Sequence, residues 1–226
     1  MNYRAVLCLL AVVLGAAPIA GAQSREATIA SNAATAFDEI MSAPDRGIPQ
    51  AILDKAEAIA VFPGVLRAAF IFGGQRGRGV ISVRNRANNA WSAPAFLTIT
   101  GGSWGAQIGG QSIDLVLVII NRRGVDNLLK NQFKIGGEAS AAAGPVGRSA
   151  EASTDVLMRA QILSYSRSRG LFVGVAVNGS SVRADVDANQ RMYGARLSSR
   201  ALAIDRRGGS PAGIGAWRDT LRKYFK

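Results

Sequence analysis

The chain has 226 residues, and its 27 lysines and arginines outnumber its 15 acidic residues, for a formal net charge of +12. It contains no histidine and a single cysteine, Cys8. Ser-His-Asp and Cys-His catalytic groups, intrachain disulfides and zinc sites of the usual kind are therefore excluded. The cationic excess favours a polyanionic partner such as phospholipid head groups. Aromatic residues make up only 7% of the chain, which argues against nucleic acid as that partner.

The first 22 residues have the layout of a secretory signal peptide: one early cation, Arg4, an apolar run over 5–17, and small residues ending at Ala22. The apolar run is too short to span a bilayer comfortably. Because Cys8 lies at the front of this run and not at the cleavage site, we expect export without a lipid anchor. Arg4 is the only charged residue of the leader, so its removal lowers the net charge to +11. The mature protein would then be periplasmic or extracellular, and peripheral to a membrane.

Two helices are predicted at the start of the mature chain. Residues 25–42 place Ile29 and Phe37 on one face at helical spacing, which predicts an amphipathic helix. Pro49 fits the first position of a second, short helix that ends near Ala58.

From residue 59 onward, short apolar or alternating runs broken by Gly, Pro and Asn predict antiparallel strands, interrupted by a helix within 124–132. About nine strands after N-terminal helices predict an α+β fold. In it the helices pack on a strongly curved antiparallel sheet that could close as a barrel. We expect one domain over residues 23–194, followed over 195–226 by a linker and a short basic amphipathic helix.

One hairpin is predicted in detail. Asn178-Gly179 favours a two-residue type I′ turn, because both turn positions of that type need positive φ. Residues 171–177 would then pair with residues 180–186, with Val175 opposite Val182. This register collects the apolar side chains of both strands on one face and turns the charged ones to the other.

Several motifs in order carry a resemblance to a known family. They occupy residues 58–84, 91–119, 141–153 and 164–194. Over about residues 25–194 the chain resembles the SYLF domain. Eukaryotic members of that family bind phosphoinositides, a yeast member also binds and bundles actin filaments, and bacterial members are typically exported. The resemblance therefore implies an exported bacterial member that binds lipid, and it carries over no catalytic residues.

Two pairs of arginines are candidate phosphate ligands. If the runs on either side of 166–170 are neighbouring strands, Arg167 and Arg169 stand at their connection among serine hydroxyls and backbone N–H groups. A guanidinium fork beside such donors can hold a phosphate; the alternative is an ordinary solvated turn. The glycine-rich run around Arg76 and Arg78 lacks the context of a nucleotide-binding loop, so we expect a tight β turn that presents these cations.

The C-terminal segment is a third candidate. At helical spacing, residues 216–226 place four apolar side chains on one face: Trp217, Leu221, Tyr224 and Phe225. Cations flank this stripe, a pattern that suits the interface of an anionic membrane. The alternative is a helix that docks the stripe on the sheet of its own domain. The candidate lipid-binding residues of this segment are Trp217, Arg218, Arg222 and Lys223.

These observations predict a non-enzymatic protein that binds anionic phospholipid at a membrane surface of the cell envelope. The carboxylates are scattered, and we expect Asp114 to cap a turn or pair with an arginine rather than to act as a catalytic acid. No catalytic residue, cofactor or metal ion is expected. The alternatives are a carrier of a small apolar ligand inside the curved sheet, a structural envelope protein with a protein partner, and an actin-binding protein.

Overall fold

The structure is a computed structural model that describes residues 24–43, 47–69, 73–103, 109–145, 160–168, 171–174 and 177–225. The predicted leader, residues 1–22, lies outside the described residues. In the described ranges the helices are α1 (Arg25–Met41), α2 (Gln50–Lys55), α3 (Arg122–Leu128), α4 (Val186–Tyr193), α5 (Ser199–Ala203) and α6 (Gly215–Tyr224). The strands are β1 (Ala58–Ala69), β2 (Gly73–Val83), β3 (Ala95–Ser103), β4 (Gly109–Ile119), β5 (Gln132–Lys134), β6 (Ala141–Ala143), β7 (Ile162–Ser168), β8 (Leu171–Gly174) and β9 (Ser181–Ala184).

The two predicted N-terminal helices are confirmed. Ser24 caps α1, since its side-chain oxygen accepts a hydrogen bond from the backbone N–H of Ala27 at 3.1 Å. The predicted apolar face of α1 is buried, with Phe37 and Ile40 fully inaccessible. Helix α2 begins directly after Pro49.

The strands form one sheet in the order β5-β9-β3-β2-β1-β4-β7-β6, with β8 also paired to β7. In a flat sheet the seven spacings of about 4.8 Å would hold β5 and β6 roughly 34 Å apart. The seven residue steps from Lys134 to Ala141, however, can reach at most about 25 Å. The sheet is accordingly a strongly curled half-barrel, and the predicted α+β fold class is confirmed. One pair departs from the predicted antiparallel arrangement, because β6 runs parallel to β7.

Two apolar cores lie on the two faces of this sheet. On one face, here called the α1 face, helices α1, α2, α4 and α6 pack against residues such as Val61 and Val116. The other core fills the concave face and unites Phe133 of β5 with Ile162 of β7, strands that lie far apart in the strand order. The central strands β1 and β4 are buried on both faces, so their sequences are nearly continuous apolar runs.

A bulge interrupts β1 where its pairing with β4 shifts register between Phe62 and Val65. Gly64 within the bulge has φ of +60°, a left-handed conformation that favours glycine. Its backbone N–H donates to the Asp114 side chain of β4 at 2.9 Å. Asp114 therefore holds the bulge, as expected for a carboxylate with a structural role.

The glycine-rich run over 73–79 lies within β2, so the predicted tight turn is wrong. A Cβ atom at Gly79 would come within 2.1 Å of the Val61 carbonyl oxygen, and one at Gly77 within 2.7 Å of a Val65 methyl group. The bulged part of β1 crosses close over β2, and residues without a side chain are required there. The glycines of this run are therefore explained by the close approach of the β1 backbone and not by a turn of the chain.

The predicted hairpin register is also wrong. Strand β8 pairs with β7. Strand β9 instead lies between β3 and β5, where Val182 is opposite both Ile99 and Phe133. A turn does form at Asn178-Gly179, but only Gly179 has a positive φ, +85°, so it is not type I′. Either pairing buries the same alternate residues of β9, so local alternation does not distinguish them.

The segment predicted as a linker contains α5. Ser198 caps this helix by accepting a hydrogen bond from the N–H of Ala201 at 3.1 Å. Leu202 and Ala203 are buried in the core of the concave face. The prediction of a linker is thus wrong for this part of the chain, because a helix of five residues is too short to show a strong periodic signal. Among the described helices, none is both long enough and apolar enough to cross a membrane.

Candidate functional site

The α1 face of the sheet carries a basic, solvent-exposed area on strands β2, β3, β9 and β5. Residues directly opposite each other in an antiparallel pair share a face. The register aligns Arg78, Thr98 and Arg183 in one row, and a second row begins at Arg76 and ends at Lys134. We call the eight residues of these rows the basic sheet face: Arg76, Arg78, Thr98, Thr100, Gln132, Lys134, Ser181 and Arg183.

The cations of the basic sheet face are largely without counter-charges. Arg76, Lys134 and Arg183 are exposed, and within the described part of the chain none of the three forms an ion pair. Arg78 is half-buried and lies 3.8 Å from the carboxylate of Asp185, the residue that caps α4. Two strand spacings, about 10 Å, separate Arg78 from Arg183. The result is a fixed grid of cations with hydroxyl groups between them, which suits a surface carrying several phosphates.

An exposed leucine borders this area. Leu66 of β1 is directly opposite Arg76 of β2, and 66% of its surface is accessible. It is the only large apolar side chain that the structure shows exposed among the residues it describes. The basic sheet face therefore has an apolar contact point at its edge.

Of the predicted phosphate ligands, Arg76 and Arg78 lie together on this face, although in a strand and not in a turn. Lys134 and Arg183 were missed as ligands. The signal that could have found them is the alternation of buried and exposed residues in a short strand. Lys134 directly follows the buried Phe133, and Arg183 directly follows the buried Val182. The alternation indicates that these cations point outward but does not show that they gather beside Arg76.

Arg167 lies elsewhere and has a partner. It is part of β7, opposite Asp114 on the α1 face, and not in a connecting turn. Its guanidinium forms an ion pair with Glu39 of α1. The strands around the predicted connection are neighbours, as expected, but Arg169 lies outside the described residues. Arg167 thus helps to hold α1 on the sheet.

Comparison with known proteins identifies the family. The family model described as Ysc84, Las17-binding protein actin regulator, matches residues 100–224. Protein YSC84 of Saccharomyces cerevisiae is 34% identical over 165 residues, which is 72% of this chain and 35% of the yeast protein. SH3 domain-containing YSC84-like protein 1 of Homo sapiens is 32% identical over 179 residues, 78% of this chain and 52% of the human protein. The chain belongs to the Ysc84 (SYLF) family. The predicted resemblance is confirmed.

The Ysc84 family is a family of binding domains and not a known enzyme family. The chain spans about a third to a half of the length of the relatives it matches. The match of the Ysc84 model continues through α6 to residue 224.

Helix α6 of this Ysc84-family chain docks on its own domain. Trp217 is fully buried, donates its indole N–H to the Ser82 hydroxyl at 2.9 Å, and meets the Phe37 ring edge-on at 6.3 Å between centroids. Leu221 is also fully buried. In this structure Trp217 is not available as a membrane contact, and the alternative interpretation of the C-terminal stripe is the one observed. A helix of this length is only marginally stable in water, so burial of its apolar face against the domain stabilises it.

The cations of α6 have partners within the domain. Lys223 lies 2.5 Å from Asp38 of α1, and the Tyr224 hydroxyl donates to the same carboxylate at 2.7 Å. Hydrogen bonds from Lys223 and Tyr224 lower the pKa of Asp38, and the bond to Asp38 raises the pKa of Lys223. Arg222 lies 3.5 Å from Asp219 of the same helix, and Arg218 donates to the Ser210 hydroxyl.

Proposed function

We propose that this Ysc84-family domain is a non-enzymatic module that docks its basic sheet face on an anionic phospholipid membrane. The observation that carries the proposal is the set of exposed cations without ion-pair partners in the described structure, Arg76 of β2, Lys134 of β5 and Arg183 of β9, on one face of the sheet. The backbone hydrogen bonds of the sheet hold these exposed cations apart. The cations therefore stay hydrated and charged until an anionic partner binds.

The mechanism is electrostatic attraction followed by hydrogen bonding. Arg76 and Arg183 each present a planar fork of N–H donors that matches two phosphate oxygens, and the threonine hydroxyls between the strands add further donors. Cations near an anionic membrane contribute about 1 kcal/mol each. Four of them give a reversible attachment of moderate strength, to which Leu66 adds a small apolar contact. Such attachment weakens with salt, because exposed charges are screened over about 8 Å at physiological ionic strength.

The N-terminal leader, if it is cleaved as the sequence predicts, would place the domain on a membrane of the cell envelope. A peripheral protein needs no spanning segment for this role. The basic sheet face would bind the membrane from one side of the sheet. Helix α6 would stay folded on the domain, because the core of the α1 face includes its buried residues.

The test is co-sedimentation with liposomes of phosphatidylcholine containing increasing phosphatidylglycerol, over a salt series. We expect the double variant Arg76→Ala with Arg183→Ala to lose about 2 kcal/mol of binding free energy, roughly 30-fold in affinity. The matched control is Lys55→Ala with Arg207→Ala. It removes the same charge from exposed side chains without hydrogen bonds or ion pairs in the described structure, away from the basic sheet face.

The control should bind nearly as the parent protein does. Equal losses in both double variants would mean that net charge alone governs binding, and the assignment to the basic sheet face would fail. Binding to phosphatidylcholine alone that persists at high salt would reject the electrostatic mechanism altogether.

A second candidate is suggested by the family, whose model is described as an actin regulator and whose yeast members include LAS seventeen-binding protein 3. An acidic protein surface could meet the same cations. Co-sedimentation of the same two double variants with actin filaments, without lipid, tests this candidate. Filament binding that depends on Arg76 and Arg183, combined with no binding to anionic liposomes, would favour the protein partner over the membrane.

A further inference from the structure

Arg67 lies on the concave face of the half-barrel, on the reverse side of the sheet from the basic sheet face. It is near the end of β1, directly opposite Gln75 of β2 and Gln111 of β4. The preceding residue on the same face, Val65, is fully buried. Arg67 itself is partly buried, so the guanidinium stands at the rim of the concave core, where apolar packing gives way to polar side chains.

Two consecutive hydrogen bonds hold this guanidinium in place. Arg67 Nε donates to Gln75 Oε1 at 2.9 Å, and Gln75 Nε2 donates to the Ser180 hydroxyl at 2.5 Å. Gln75 is 7% exposed and Ser180 is 1% exposed, so both links are shielded from water. A Cβ at Gly101 would come within 3.1 Å of the Ser180 hydroxyl and 3.3 Å of the Gln75 amide nitrogen. The glycine leaves room for the chain of hydrogen bonds.

Arg67 has no counter-charge in the part of the chain that the structure describes. Its one hydrogen-bond acceptor there is the neutral amide of Gln75, whereas Arg167 pairs with Glu39 and Arg78 lies beside Asp185. Burial lowers the pKa of Arg67, which means that the charged form is poorly solvated where it stands. A guanidinium has five N–H donors, and one is used. A bound anion would therefore stabilise this cation, because the guanidinium is held in position, has free N–H donors and is poorly solvated.

The polar groups beside Arg67 are neutral. On the neighbouring strand the Gln111 amide donates to the Ser168 hydroxyl of β7. Ser166 of β7 is also on the concave face and is 5% exposed. Amide and hydroxyl groups around a single arginine suit one compact oxyanion. The basic sheet face, with its several cations, suits a surface that carries several phosphates.

We propose that Arg67, positioned by Gln75 and accompanied by Gln111, binds a single phosphate group at the open rim of the concave face. The phosphate could belong to inorganic phosphate or to a phosphate monoester such as the head group of phosphatidic acid. The site is separate from the basic sheet face and does not depend on membrane docking. Gln75 is a positioning residue, and Arg67 makes the contact with the anion.

The first experiment is isothermal titration of inorganic phosphate into the full chain. We expect one phosphate per protein, with affinity lowered about tenfold or more by Arg67→Met, since hydrogen bonds between charged groups are the strong ones. Lys55→Ala with Arg207→Ala is the charge-matched control and should leave this binding unchanged. Arg67→Lys keeps the charge but loses the fork and the Gln75 contact, so it should bind more weakly than the parent.

Thermal unfolding separates a ligand site from a structural role. Without phosphate, Arg67→Met should melt close to the parent, because the removal of a poorly solvated charge offsets the loss of the donor to the buried Gln75 oxygen. With phosphate, the parent should be stabilised and Arg67→Met should not. A lower melting temperature for Arg67→Met together with unchanged phosphate binding would overturn the proposal, and so would phosphate binding by Arg67→Lys equal to that of the parent.

A second titration with dihexanoyl phosphatidic acid, kept below its aggregation concentration, distinguishes the sources of the phosphate. Tighter binding than inorganic phosphate, lost in Arg67→Met, supports a lipid head group. Equal binding supports recognition of the phosphate group alone. No binding of either probe by the parent protein overturns the proposal and leaves the liposome result, which depends on Arg76 and Arg183, unaffected.

Discussion

Helix α6 and the basic sheet face are both cationic in sequence, but they use their cations differently. In α6, Lys223 is bound to Asp38, Arg222 lies near Asp219, and the aromatic Trp217 is enclosed by the core. On the basic sheet face, Arg76 and Arg183 have no ion-pair partner among the described residues. The density of cations in a sequence therefore does not identify a binding surface. Only the folded protein shows which cations lack ion-pair partners among the described residues.

The physical cause of this difference lies in what each element packs against. Helix α6 lies on α1, which supplies Asp38 within reach of Lys223 and Tyr224. The basic sheet face spreads over four strands, and the buried residues beside its cations, such as Ile99, Phe133 and Val182, point to the concave side, so the cations themselves meet solvent. Only one carboxylate, that of Asp185, reaches this face within the described structure. Each prediction below tests one side of this contrast.

The largest effect should come from Trp217→Ala. Truncation of a fully buried tryptophan leaves a cavity and removes the hydrogen bond that the Ser82 hydroxyl accepts, so we expect the free energy of unfolding to fall by about 3–5 kcal/mol. Urea denaturation measures the loss. Liposome affinity, measured at a temperature where the variant is folded, should not change.

Trp217→Phe is the control for this variant, because it retains an aromatic ring and removes the hydrogen bond to Ser82. It should be destabilised less than Trp217→Ala. If Trp217→Ala instead kept its stability and lost liposome binding, the membrane-arm interpretation of α6 would be restored.

An intermediate effect should distinguish the two cationic regions directly. Arg218→Ala with Arg222→Ala removes two charges from α6, the same number as Arg76→Ala with Arg183→Ala removes from the basic sheet face. Because the α6 arginines have partners within the domain, we expect the first pair of substitutions to change liposome affinity much less than the roughly 30-fold loss expected for the second. Co-sedimentation of both double variants in one salt series makes the measurement. A larger loss in the α6 variant would reverse the comparison.

The smallest effect should come from Asp38→Asn. The pKa of Asp38 is lowered in the folded protein, so its ionisation stabilises the fold above its unfolded pKa of about 3.9, and this contribution is lost as the pH falls through the folded pKa. At pH 7 the variant should melt below the parent, by much less than Trp217→Ala, because solvent-exposed ion pairs contribute little. In melting curves of both proteins from pH 7 to pH 3, the difference should shrink as the pH falls below the unfolded pKa. A difference that does not shrink there would show that Asp38 does not stabilise α6 through its charge.

The sequence determined the elements whose signal is local. The spacing of Phe37 and its neighbours predicted α1, and the apolar runs predicted the central strands, because helix and strand periodicities depend only on which side of an element is buried. Composition alone excluded histidine-dependent catalysis and intrachain disulfides. The motif order indicated the family, and alternation in β9 indicated that Arg183 points outward.

The tertiary structure decided which elements are neighbours. The apolar face of β9 is the same whether it pairs with β8 or with β3, so the sequence could not select the observed partner. The glycines of β2 are required by the crossing of β1 at Val61, a long-range contact that has no local signature. Likewise, the amphipathic pattern of α6 fits a membrane and a protein core equally well. Trp217 lies in the core because α1 and Ser82 form a complementary site, and Arg76 meets solvent because no carboxylate lies opposite it in the described structure. Pairing, close approach and counter-charge depend on residues far apart in sequence, which only the folded chain brings together.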